Sequence, residues 1–126
     1  MGDVGLPRAT RLRRAADFLA MRDAPGRLAG RYVLIRYATA AGASARMGMA
    51  VSRRVSKRAV VRNRIKRQMR ESFRRMRAKL PPLDLLLIAR SEAATVDNAI
   101  LRAELDRLWP RLQSLKPLPP TGTISD

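Results

Sequence analysis

Thirteen of the 27 lysines and arginines fall between Arg53 and Lys79, where Glu71 is the one acid. The stretch reads RRVSKRAVVRNRIKRQMRESFRRMRAK. Guanidinium forks match phosphate oxygens two at a time, so this spacing offers capture of a polyanion. It offers little towards breaking a bond. The chain has no histidine and no cysteine, which removes the usual general base, the thiol nucleophile and the commonest metal ligand. The carboxylates are Asp3, Asp17, Asp23, Glu71, Asp84, Glu92, Asp97, Glu104, Asp106 and Asp126. They are scattered, with no pair spaced as in a two-metal nuclease. Glu71 sits among arginines, and Glu104 and Asp106 are expected on a helix surface. An autonomous metal-dependent nuclease has little room here.

The cations need an element to carry them. Val61, Ile65, Met69, Phe73, Met76 and Leu80 recur at steps of three or four, one apolar stripe of an α-helix. Arg62, Arg64, Lys66, Arg67, Arg70, Arg74, Arg75 and Arg77 fill most of the remaining arc. The helix is expected from about 59 to 79, about 30 Å long, with Pro81-Pro82 stopping it. Such a helix packs on its own domain while presenting charge outward.

Around it the pattern predicts an arm over residues 1–9 and a short first helix marked by Leu12, Ala15, Ala16, Leu19 and Phe18. Asp23-Ala24-Pro25-Gly26 reads as a turn. Residues 32–37 and 46–51 read as strands joined by a loop over 40–44, with 26–28 as a short edge strand. Leu83 to Ala89 is a nearly continuous apolar run, which suits a strand covered on both faces and paired in parallel. Thr95 is the expected cap of a last helix carrying Ile100, Leu101, Leu105, Leu108 and Leu112, and Pro110 should end or kink it just after Trp109. Tyr32 and Tyr37 are assigned to sheet packing. Residues 10–112 are read as a single RNA-binding domain and 113–126 as a Pro-rich disordered tail. The class is α+β: an αββ(β)αβα two-layer sandwich with a mixed sheet. General statistics give its strand–helix–strand crossover a right hand.

The whole chain has 126 residues, a net charge of +17 and an isoelectric point near 11.9. Self-repulsion on that scale in one small domain implies a standing anionic partner, and affinity that falls steeply with salt. The apolar run is too short to span a bilayer and no secretory signal core follows the N-terminal arginines, so a cytoplasmic protein with no membrane partner is expected.

The string AVVRNRIKRQMRESFR, residues 59–74, resembles the RNR signature of the bacterial ribonuclease P protein subunit. The likeness extends to Arg11-Leu12 with Ala16-Asp17-Phe18, to RMGMAVSRR at 46–54, and to 83–90, covering about 10–112. What it implies is a protein that joins a large catalytic RNA, the RNA with its Mg²⁺ ions removing the 5′ leader from precursor tRNA. The protein alone would be inactive, and no protein partner would be required. Arg53, Arg54, Lys57, Arg58, Arg62, Asn63, Arg64, Lys66, Arg67 and Arg70 would bind the catalytic RNA or support metal ions at the interface. The family's fold resembles the second domain of a small-subunit ribosomal protein, with a left-handed crossover against the general rule.

The same resemblance places the single-stranded leader between the first helix and the sheet, where cations and stacked aromatics hold it. Phe18, Arg22, Arg31 and Arg46 are the matching positions. Arg22 stands where many relatives have a second aromatic, and Ile35 where some have a tyrosine on the central strand, so binding here should lean on cations. Phe18 reads equally as a core anchor of its helix. A small ribosomal protein or general RNA-folding factor would share the charge and layout, and the extended signature separates the two. A DNA-binding role lacks any helix-turn-helix, zinc-finger or heptad pattern.

Overall fold

The run Leu83–Ala89 decides the architecture. The computed structural model describes Met21, residues 24–39 and residues 45–114. The arm over 1–9, the first helix with Phe18 and Arg22, the 40–44 loop and nearly all of the tail lie outside the described residues. Strand β1 is Gly26–Ala29, β2 Val33–Thr39, β3 Arg46–Ala50 and β4 Leu83–Ala89. They form one sheet in the order β1-β2-β4-β3. β4 pairs antiparallel with β2 and parallel with β3. With a neighbour on each edge and side chains covering each face, β4 has no solvent side, and Leu83 through Leu87 are all buried. That is why its sequence does not alternate.

A parallel pair needs a crossover, and the arginine-rich helix α1 (Ala59–Met76) supplies it. A 3₁₀ turn over Arg77–Lys79 completes it before the prolines. Helix α2 (Asn98–Gln113) comes last, after a 3₁₀ turn at Ser91–Thr95. The α+β class and the mixed sheet are those expected, and the edge strand is a residue longer than expected.

The two helices cover one face. Ile65, Met69 and Phe73 of α1 and Leu101, Leu105, Leu108, Trp109 and Leu112 of α2 pack on Val33, Ile35, Tyr37, Leu85 and Leu87. Each fully buried side chain of this size contributes roughly 1.5–3 kcal/mol. On the opposite face a smaller cluster joins Met21, Ala24, Ala38 and Leu86, flanked by Ala50 and Ile88. Tyr37 packs its ring directly over Gly26, where any β-carbon would collide with it. Tyr32 is half-buried against the larger core, so both tyrosines serve sheet packing.

Three expectations for α2 need correction. Its cap is Asp97, whose Oδ1 accepts from the Ile100 amide at 3.0 Å. Thr95 spends its hydroxyl on the Glu92 carbonyl inside the preceding turn, at 2.7 Å. A carboxylate also answers the positive helix end better than a hydroxyl does. Pro110 does not end the helix, which runs on to Gln113. Proline costs an interior helix about 3 kcal/mol, but the next turn buries Leu112 completely beside the equally buried Trp109. The carbonyl left without a donor belongs to exposed Asp106, where water can reach it.

The third concerns Glu104, which is buried at 4% exposure, unlike exposed Asp106. Its carboxylate accepts from the backbone amides of Arg31 (2.6 Å), Tyr32 (2.9 Å) and Val33 (2.8 Å) at the β1–β2 turn. Gly30 makes room for it, since a β-carbon there would meet the carboxyl group at 2.6 Å. The acid survives burial because every oxygen is satisfied.

Candidate nucleic-acid interface

Amphipathic packing sets which α1 cations reach solvent. With Ile65, Met69 and Phe73 buried, the opposite crest carries Asn63, Arg67 and Arg74, all exposed. Lys66 and Arg70, four apart on one flank, are half-buried, as are Arg62 and Arg64. Phe73 meets Trp109 in a tilted pair, 6.2 Å between centroids. The Trp109 Nε1–H donates to Ser72 Oγ at 2.7 Å, which explains a hydroxyl on the buried side of α1.

The chain entering α1 extends the charge. Arg53, Arg54, Lys57 and Arg58 are exposed in the segment between β3 and the helix. Ser52 and Ser56 hydroxyls accept from the Arg54 and Arg58 amides at 3.3 and 3.2 Å, shaping two local turns. Arg62 fixes the same segment by donating Nη1–H groups to the Ser56 and Lys57 carbonyls, both at 3.0 Å. Arg58 occupies the N-cap with no side-chain cap, and the first turn holds no acid. Uncapped first-turn amides and the positive helix end therefore point where the cations gather, an arrangement complementary to phosphate.

Glu71 is the exception on this helix. It accepts from Arg74 at 3.1 Å, and that hydrogen bond, then the Arg74 charge, hold its carboxyl below the ordinary glutamate range, with smaller help from Arg75 and Arg102. α2 also touches the helix through polar groups. Arg64 donates to Asn98 Oδ1 at 2.8 Å and Arg102 donates to Gln68 Oε1 at 3.0 Å.

The ten positions read as binding catalytic RNA all lie on α1 or the segment entering it; Arg53, Arg54, Lys57, Arg58, Asn63 and Arg67 are exposed, and Arg62, Arg64, Lys66 and Arg70 are half-buried. The four positions read as binding the leader do not come together in the same way. Phe18 and Arg22 are outside the described residues. Arg46 starts edge strand β3, level with Asp84 and Ala38. Arg31 sits in the β1–β2 turn at the other end and other edge of the sheet, with its guanidinium 5.6 Å from the Tyr32 ring centre. Five residues of β2 separate the two levels, about 17 Å of strand. One site cannot hold both side by side. Arg46 is also bound in a fork to buried Asp84, Nε to Oδ1 at 2.8 Å and Nη2 to Oδ2 at 2.9 Å.

Ile35, on the central strand β2, is fully buried among the helix-side core residues. Leu34 and Arg36 flank it on the opposite face by strand alternation. Sequence reading missed Arg36, and also Arg90, which follows Ala89 on the Leu86 and Ile88 side. Arg36 donates Nη2–H to the Ala24 carbonyl at 2.7 Å. The Nε atoms of Arg36 and Arg90 are buried without a hydrogen-bond partner among the described residues. Parity with Ala38 and Leu86 was the available signal.

Among the described residues no three acidic side chains converge to hold a metal ion. Asp84 is engaged by Arg46 and Glu104 by three amides, so the described residues assemble no oxygen cage of the kind a hard cation needs. No described helix is long and apolar enough to cross a membrane.

The family model for Ribonuclease P matches residues 6–113. The ribonuclease P protein component of Thioalkalivibrio sulfidiphilus is 40% identical over 114 residues, covering 89% of this chain and 93% of its own. The solved Staphylococcus aureus RNase P protein superposes with a TM-score of 0.77 at 26% identity, over 82% of this chain and 95% of that one. For the Thermotoga maritima RNase P protein the TM-score is 0.73 at 29% identity, over 84% of this chain and 100% of the other.

Proposed function

This chain belongs to the ribonuclease P protein family and is a protein component of that ribonucleoprotein endonuclease; on that premise we propose how its surface serves the RNA. The chain lends a pre-shaped cationic surface to a catalytic RNA, which removes the 5′ leader of precursor tRNA in the cytoplasm. The observation carrying this reading is α1, whose buried stripe leaves Asn63, Arg67 and Arg74 on an exposed crest continuous with Arg53, Arg54, Lys57 and Arg58. Arg62, Arg64, Lys66 and Arg70 flank that crest and complete the RNA-binding set.

Hydrolysis belongs to the RNA and its Mg²⁺ ions, held by phosphates. The protein's own groups bind and orient: guanidinium forks grip phosphates, and each neutralised phosphate releases counterions. The leader strand runs over the sheet face that carries Arg46. Arg36 and Arg90 on the same face support that path, with Phe18 and Arg22 as its further contacts. Arg31, at the remote corner, is the weakest member of the set.

Reconstitution tests the reading. The purified chain should be inert on precursor tRNA; with catalytic RNA it should lower the Mg²⁺ requirement and favour substrates that carry a leader. Equal binding of leaderless and leader-bearing substrates by the holoenzyme would rule out the leader path. Turnover by protein stripped of nucleic acid would rule out the division of labour.

A further inference from the structure

Three hydrogen bonds between α1 and α2 fall on one ridge of α1. Arg64, Gln68 and Ser72 are spaced four apart, and they meet Asn98, Arg102 and Trp109 of α2 at 2.8, 3.0 and 2.7 Å. Two of these bonds join groups that have no other role in the interface described above. The third takes hold of a signature arginine. Asn98 lies in the first turn of α2, beyond its Asp97 cap, and is exposed. An exposed amide contributes little to folding, but here its oxygen fixes one end of a side chain that otherwise has many rotamers.

We infer that Asn98 is a positioning residue: it holds the Arg64 guanidinium in the orientation that meets an RNA phosphate. The inference rests on the reading of Arg64 as an RNA contact. An arginine has five N–H donors in a planar fork. Asn98 Oδ1 accepts from Nη1 and leaves the other donors for the RNA. The acceptor is a neutral amide, so the full positive charge remains available. A carboxylate at 98 would have neutralised it, as Asp84 does for Arg46. Binding then need not immobilise a free arginine, which would cost side-chain entropy.

A double-mutant cycle on the holoenzyme decides it, with catalytic RNA affinity measured across salt concentrations. Asn98→Ala should weaken assembly about two- to tenfold with an unchanged salt slope, since no charge is lost. Arg64→Ala should weaken assembly and flatten the slope by about one. On the Arg64→Ala background, Asn98→Ala should cost nothing more. Gln68→Ala, which breaks the neighbouring inter-helix bond, should show no such coupling to Arg64. Equal losses from Asn98→Ala on both backgrounds, or no loss on either, would overturn the positioning role while leaving Arg64 at the interface. If Arg64→Ala itself changes neither affinity nor slope, Arg64 is not a phosphate contact and the role of Asn98 falls with it.

Discussion

At the β1–β2 turn a single carboxylate is enclosed by three backbone amides, whereas on the crest of α1 Asn63, Arg67 and Arg74 stand in solvent. Glu104 is a charge saturated inside its own chain, and it pins α2 to the sheet. Among the described residues the crest cation Arg67 has no acidic partner, while Arg74 is matched by Glu71, the one acid along α1. Like charges on one helix repel, so they cost stability until a polyanion arrives. The comparison separates charge that builds the fold from charge kept for a partner. The Arg46–Asp84 fork lies between them, a cation on a proposed binding face whose charge is already answered.

The largest effect is expected where charge is saturated. Glu104→Ala leaves three amides at the turn unpaired and should remove roughly 3–5 kcal/mol from a total that is roughly 5–15 kcal/mol for a domain. A fall in the urea midpoint measures it. A loss under about 1 kcal/mol would mean that water replaces the carboxylate, and the contrast drawn here would fail. Arg67→Ala should do the reverse. Its melting temperature should stay put, because an exposed surface substitution shifts stability by no more than about 0.5 kcal/mol. Its affinity for catalytic RNA should drop, with a salt slope shallower by about one. A destabilised but fully binding variant would place Arg67 with the fold instead.

The smallest effect belongs to Glu71, the acid that crosses between the two regimes. Its folded carboxyl titrates below the ordinary glutamate range because Arg74 donates to it. A lowered folded value means stability that is present above the unfolded value and lost as pH falls through the ordinary range and then the folded value. Melting curves of the chain and of Glu71→Gln should therefore converge in acid and separate slightly near neutrality. Added salt should shrink the gap, since the pair is exposed. A gap that persists unchanged in acid would remove the ion pair as its cause.

Much of this was legible along the chain. The helical stripe from Val61 to Leu80, the doubly covered strand Leu83–Ala89 and the run of cations from Arg53 to Lys79 are all local patterns, set by periodicity of 3.6, by continuous apolarity and by adjacency in sequence. The extended signature around Arg62-Asn63-Arg64 was equally local. Other features depended on residues far apart. No spacing shows that Glu104 reaches a turn 71 to 73 positions away, or that Asn98 meets Arg64 across two helices 34 positions apart. Strand alternation did hold the facing of Ile35, Arg36 and Arg90, but only the register against β4 fixed which parity looks inward. The sequence by itself determined the chemistry, since composition dictates what the side chains can bind and periodicity dictates the element that carries them. Tertiary structure alone decided which charges are consumed, because that depends on contacts made by packing distant elements together.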